Sequence, residues 1–302
     1  KIPAIVKLVR NYNPEPINHA FQKNVSFSQL SMFRQCPKKW SLQYKEGHKQ
    51  YTPTIHTVFG TALHEAVQHY LTIMYDVSAA AADREDIIGL FEEKLSEEYR
   101  VQYKKNGGSH FSDAIQLREF FNDGINIITH LMKNRGKYFS KRGTYLAGIE
   151  VPILITPNKR YTNVIYQGYL DVVLYNENTN KFDIIDIKTS TSGWSKWAKK
   201  DEDKQFQLIL YKKFFSETFN VPLEKRKLYE SEDYVIPRIQ RFIPASGKVK
   251  LNKATNALNE FITKAFTRDG YAEVEHITTP NNPNNNCNWC AYHKTHLCPA
   301  TF

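Results

Sequence analysis

Two short runs hold residues whose types and spacing could do chemistry together. Gly168-Tyr169-Leu170-Asp171-Val172-Val173-Leu174 carries one acid in an apolar stretch, and Asp183-Ile184-Ile185-Asp186-Ile187-Lys188-Thr189-Ser190 follows closely. Read as strands, the second run puts Asp186 and Lys188 on one face, because side chains alternate with a period of two. Carboxylates meeting across such a pair can hold a hard divalent cation. An ammonium beside them can orient a water or stabilise developing negative charge. The same pattern also fits a solvated strand face with an Asp–Lys pair. Glu150, in Gly148-Ile149-Glu150-Val151, offers a further acid. His64, in Gly60-Thr61-Ala62-Leu63-His64-Glu65, is either a ligand or a packed helical histidine. Gln207 and Tyr211 are four apart and share one side of a helix, a pair that suits a nucleic-acid contact.

The cysteines form a second constellation. Cys36 precedes Pro37, and the others read Cys287-x₂-Cys290-x₇-Cys298. The C-x₂-C spacing chelates zinc and iron–sulfur clusters alike. With His293 and His296 between Cys290 and Cys298, a Cys₃His zinc site is one option and four thiolates on a [4Fe–4S] cluster another. A third cluster is Trp194-Ser195-Lys196-Trp197-Ala198-Lys199-Lys200, directly after the Asp186–Ser190 run. Its rings and ammonium groups suit base stacking and phosphate contact on a single strand, through Trp194, Lys196, Trp197, Lys199 and Lys200. Packing of the two tryptophans inside the protein is the alternative.

These groups need elements to position them. Residues 1–25 read as an irregular arm, since Asn11, Asn13, Pro14 and Pro16 break any period. Ser26 or Ser28 caps a helix that ends or kinks at Pro37. Helical spacing predicts further helices over 59–75, 77–104 and 111–136, so the first half is mostly helical. Residues 146–155, 164–175 and 182–189 are rich in β-formers, with 176–181 as a hairpin turn. A helix over 203–218, strands over 226–230 and 236–243, and a helix over 251–267 complete the pattern. The expectation is an α/β chain: a mixed central sheet flanked by helices, with a helical insertion near 77–140. Residues 26–302 are expected to form one domain after the arm at 1–25.

At 302 residues, with 41% apolar and 24% charged side chains, the balance is that of an ordinary globular protein, which excludes coiled coil and disorder as the main reading. The 18 Phe, 18 Tyr and 4 Trp fill a core and leave rings for stacking. A net charge of +10 and a pI of 9.2 point to a polyanionic partner, nucleic acid before an anionic membrane, or to a merely basic protein. No apolar run approaches the ~18–20 residues that span a bilayer. Lys1-Ile2-Pro3-Ala4 has no signal-peptide layout. The expected setting is therefore the cytoplasm (a host's cytoplasm if the chain is viral), where cysteines are free, catalytic or metal-bound.

Taken in order, Gly60…His64, Glu150, Gly168-Tyr169-Leu170-Asp171, Asp186-Ile187-Lys188 and Gln207…Tyr211 resemble the motifs of the PD-(D/E)XK nuclease superfamily, in its RecB-like branch. That branch includes the CRISPR-associated RecB-like exonucleases and the nuclease domain of the AddB subunit. The resemblance covers about residues 26–300. It implies a restriction-endonuclease-like core and Mg²⁺- or Mn²⁺-dependent cleavage of DNA, exonucleolytic on single strands or ends, in replication, recombination or repair. His64, Asp171, Asp186 and the Ile187 main-chain carbonyl would ligate the cation, with Glu150 in or beside that shell. Lys188 would position the attacking water, and Gln207 and Tyr211 would support the site and the DNA strand. Tyr169-Leu170 stands before Asp171, so the proline of the family name is absent. Iron–sulfur members of this branch carry one cysteine before the histidine motif and three at the C-terminus. Cys36, Cys287, Cys290 and Cys298 match that layout, which implies a [4Fe–4S] staple in place of structural Zn²⁺. No Gly-x-x-x-x-Gly-Lys motif occurs, so a helicase or recombination partner would be a separate protein.

Overall fold

The computed structural model describes residues 1–49, 52–139, 142–189, 202–222, 226–235, 238–242, 246–272 and 287–298. The chain forms two compact units, interleaved in sequence. One comprises Lys1–Tyr12, Thr52–Val151 and Tyr169–Ala245; the other comprises Asn13–Tyr51, Pro152–Gly168 and Ser246–Phe302. Among the described residues no helix is long and apolar enough to cross a membrane.

The first unit holds the acids. It begins with helix α1 (Ala4–Arg10), where an irregular arm was expected; Val6 and Val9 are buried, so packing sustains seven residues that are too short to be helical alone. Helix α4 (Ile55–Asp76) starts where the Thr54 side chain accepts the Thr57 N–H. Val58, Ala62, Leu63, Ala66, Val67, Tyr70, Leu71 and Met74 form its buried stripe, at the spacing of one helix face. The helix expected over 77–104 is two helices: α5 (Ala79–Ala82), then α6 (Ile87–Lys105) capped by Asp86. Helix α7 (Ala114–Tyr138) completes the insertion and is capped by Asp113.

Strand β2 (Thr144–Ile155) pairs with β3 (Val164–Asn176), and both run from one unit into the other. Strand β4 (Lys181–Ile187) is antiparallel to β3. Their hairpin turn places Asn180 at φ +51°, a left-handed conformation that asparagine tolerates. Helix α8 (Glu202–Phe219) leads to β5 (Arg226–Val235), which is parallel to β4, and β6 (Arg238–Phe242) returns antiparallel to β5. The sheet is therefore mixed, and helices cover both of its faces. On one side Val172, Leu174, Ile185 and Ile187 join the core of α4, α6 and α7, with Leu63, Phe91 and Ile127. On the other, Phe182 lies 4.9 Å from Tyr175 and 5.0 Å from Phe215 of α8. Burial on both faces explains why β3 and β4 read as apolar runs and not as an alternation.

The second unit is built around helices α2 (Phe27–Gln35), α3 (Pro37–Trp40) and α9 (Lys248–Ala265), with a π-helical turn at Ser41–Lys45. Strand β1 (Lys23–Val25), also within the expected arm, lies parallel to the first residues of β3. Trp40 is fully buried among Phe33, Phe261, Phe266 and Tyr271, and its Nε1 donates to Gln29 Oε1 at 3.2 Å. Pro37 opens α3 at its first position, where a missing N–H costs nothing.

Candidate metal centre

The β3–β4 ladder pairs residues from Asn176↔Lys181 to Val172↔Ile185. One step further along that register stand Asp171 and Asp186. There the acid side chain replaces the ladder: Asp171 Oδ2 accepts the Ile187 N–H at 2.6 Å. Asp171 is 9% exposed and Asp186 only 2%. Burial, then the nearby Asp186 charge, raises the Asp171 carboxyl well above the usual 3.8 against the pull of Lys188. Lys188 Nζ lies 2.9 Å from Asp186 Oδ2. Burial opposes the lysine charge, but Asp186, Asp171 and the hydrogen bond to Asp186 outweigh it and hold the ammonium protonated.

Helix α4 brings the imidazole. His64 Nδ1 lies 3.7 Å from Asp171 Oδ2. Burial lowers its pKa below 6.5, against the attraction of Asp186, so the ring is neutral near pH 7 and has a lone pair to give. Gly60, one turn earlier, is where α4 meets the strand end: a Cβ there would stand 3.2 Å from Thr189 Oγ1. Strand β2 brings Glu150. Ligand atoms of His64, Glu150 and Asp171 all lie within 4.8 Å of one another, the sole such group of three among the described residues. An imidazole nitrogen with two carboxylates is a donor set for a divalent cation. A buried carboxyl with a raised pKa is a further sign of fit, because a cation there relieves the charge that burial penalises.

A family model of the PD-(D/E)XK nuclease superfamily matches residues 24–299. The chain belongs to this superfamily. No curated protein matches it. Among solved structures it is similar to a protein of Eubacterium rectale named "Putative exonuclease", at 13% identity and TM-score 0.46, covering 83% of this chain and 84% of that one. For a PD-(D/E)XK nuclease the motif order read in the sequence acquires a geometry. His64, Glu150 and Asp171 close on one point, and Asp186 stands beside them, paired with Lys188. On α8, Gln207 Nε2 donates to Tyr211 Oη at 3.2 Å. Burial pushes the Tyr211 hydroxyl up to about 12, against the Gln207 hydrogen bond, with a smaller contribution from the Asp186 charge. Trp194, Lys196, Trp197, Lys199 and Lys200 lie outside the described residues. Gln68 is a site residue that the motifs do not name. It is buried on α4 four positions after His64, and that spacing of two polar groups beside an apolar stripe was its signal in the sequence.

The cysteines gather in the second unit. None of the four forms a disulfide. Cys36 caps α3, its Sγ accepting the Lys39 N–H at 3.4 Å. Burial raises its pKa first; the Lys39 amide lowers it, and Cys290 and Cys287 raise it again. Cys287 is raised by burial and then by Cys290 and Cys298. Cys290 and Cys287 thus lie near enough to act on Cys36, but among the described residues no three cysteines come within the 4.8 Å at which His64, Glu150 and Asp171 meet. Within that loop Cys290 N donates to Cys287 O at 3.0 Å, and the buried His293 Nδ1 has no hydrogen-bond partner among the described residues.

Proposed function

We propose that the protein is a divalent-metal-dependent nuclease that hydrolyses DNA phosphodiester bonds, acting exonucleolytically on single strands or ends in replication, recombination or repair. The convergence of His64, Glu150 and Asp171 beside the Asp186–Lys188 pair carries this reading. His64, Glu150 and Asp171 would hold Mg²⁺ or Mn²⁺, with Asp186 and the Ile187 carbonyl next to them. When bound, the cation would supply Lewis acidity at the scissile phosphate and lower the pKa of water. Asp186 keeps Lys188 charged and fixed, and from there the ammonium orients the attacking water and offsets negative charge on the phosphate. Gln207 and Tyr211 would brace the strand, and the net charge of +10 draws polyanions to the surface.

Cys36, Cys287, Cys290 and Cys298 would hold a [4Fe–4S] cluster that ties α3 to the C-terminal loop. The unpartnered His293 Nδ1 favours a second reading, a zinc site that includes this histidine. A helicase or recombination protein would be a separate partner.

Digestion of end-labelled single- and double-stranded DNA and of a closed circle, with Mg²⁺, Mn²⁺ or EDTA, tests the activity. The expected result is metal-dependent loss of linear DNA with the circle intact. No cleavage of any substrate with either metal overturns the nuclease reading in favour of a non-catalytic binding module.

A further inference from the structure

Gln68 has no place in the chemistry above, yet it is 7% exposed at the centre of the site. Its Nε2 donates to Glu150 Oε1 at 2.6 Å and to the Asp171 main-chain carbonyl at 3.3 Å. One amide nitrogen thus spends both protons tying the acid of β2 to the acid-bearing residue of β3. Glu150 needs such a tie. Its φ is +48°, in the middle of a strand, a conformation that persists in a non-glycine residue only when its surroundings over-determine it. The local chain behaves as a bulge that re-aims a side chain: a Cβ on Gly148 would fall 2.4 Å from Val151 Cγ2, so the kink closes only over glycine. Glu150 is itself exposed, and without a partner its flexible carboxylate would extend into water. A neutral donor is the type suited to this task. A lysine or arginine in its place would neutralise the carboxylate and compete with a cation, whereas an amide orients Glu150 and leaves its charge available.

We infer that Gln68 is the positioning residue that presents Glu150 to the cation, an inference resting on the reading of His64, Glu150 and Asp171 as the cation site. The test is titration of Mn²⁺ into the metal-free full chain by calorimetry, without DNA, for the wild type, Gln68→Met, Glu150→Ala, the double variant and Asp171→Asn. Gln68→Met should weaken Mn²⁺ binding about tenfold or more, the usual effect of losing a group that orients a ligand. In the Glu150→Ala background the same change should alter affinity less than about twofold, because the two residues act as one unit. A purely structural role would lower the melting temperature in both backgrounds and leave the affinities independent. Should Gln68→Met be insoluble, Gln68→Ser is measured by the same criterion. Wild-type affinity retained by Asp171→Asn overturns the site itself. Loss of binding in Asp171→Asn with unchanged affinity in the Gln68 variant, or with equal weakening in both backgrounds, overturns the role of Gln68 alone.

Discussion

Asp171 and Asp186 share a register position but not an environment. Asp186 has Lys188 at 2.9 Å, while Asp171 accepts a main-chain N–H and lies 3.7 Å from a neutral imidazole. Asp171 therefore bears the cost of the site in the metal-free protein. Its folded pKa lies above the unfolded value of 3.8, so it is neutral in both states below that value. As pH rises through the folded pKa, the folded state loses stability, and the loss is complete above it. Asp171→Asn should then melt about 2–4 °C higher than the wild type at pH 7 in EDTA, with the gap closing toward pH 4. Added Mn²⁺ should raise the wild type and not the variant. An Asp171→Asn protein that melts lower at every pH contradicts the account. Asp186→Ala should cut cleavage by about 10²–10³-fold while the chain stays folded, because the carboxylate that holds the Lys188 ammonium charged and in place beside the cation is lost. Near-normal rates in that variant would remove Asp186 from the chemistry. Lys188→Ala should lower kcat far more than it weakens Mn²⁺ binding, since a protonated lysine cannot ligate a cation; loss of metal at unchanged saturated kcat would reverse its role.

Elements divide the labour. Helix α4 anchors its apolar stripe in the core of α6, α7 and the sheet, which holds His64 and Gln68 beside the strand residues that carry the acids. The antiparallel β3–β4 hairpin sets the acids at one level, and α8 covers the sheet face opposite α4 through Phe182 and Phe215. In the second unit Trp40 plays the corresponding part for Cys36, which caps the short helix that Trp40 ends. Trp40→Ala removes a fully buried ring and leaves Gln29 Oε1 without its donor. It should cost about 3–5 kcal/mol, read by urea unfolding of the full chain. On the cluster reading, bound iron should fall with it. A loss under about 1 kcal/mol would show that the ring is not the centre of that unit's core.

At the scale of the whole molecule, a cluster on Cys36, Cys287, Cys290 and Cys298 would join residues far apart in the chain. Closing so long a loop removes unfolded-state entropy worth about 5 kcal/mol on the analogy of a disulfide, a large part of the ~5–15 kcal/mol that a domain holds in total. Cys290→Ser should therefore yield a colourless, protease-sensitive protein before any change in chemistry is measurable. Iron, sulfide and zinc analysis of anaerobically purified wild type separates the readings: about four irons with matching sulfide supports the cluster, and stoichiometric zinc without iron replaces it by the site that includes His293.

How much of this was legible follows from how local each feature is. Asp171, Asp186 and Lys188 could be read directly, because a period of two and a short turn leave little freedom in a hairpin. The helices were legible in type, their ends less so: α4 begins at Ile55, four residues before its periodicity announces it, because Thr54 supplies the cap. Helix α1 and strand β1 were not legible, since segments of seven and three residues have no periodicity to show and exist by packing and pairing. The spacing of the cysteines suggested a metal, but which of them could share one ion depends on the tertiary fold. Glu150 is the clearest division. Its type and strand were in the sequence, and its approach to His64 and Asp171 was not. That approach depends on a left-handed backbone over Gly148 and on an amide from another element. Such strain is stable only where the packed fold supplies the restraint, so the sequence alone determined which residues could bind a cation, and the tertiary structure decided which of them converge.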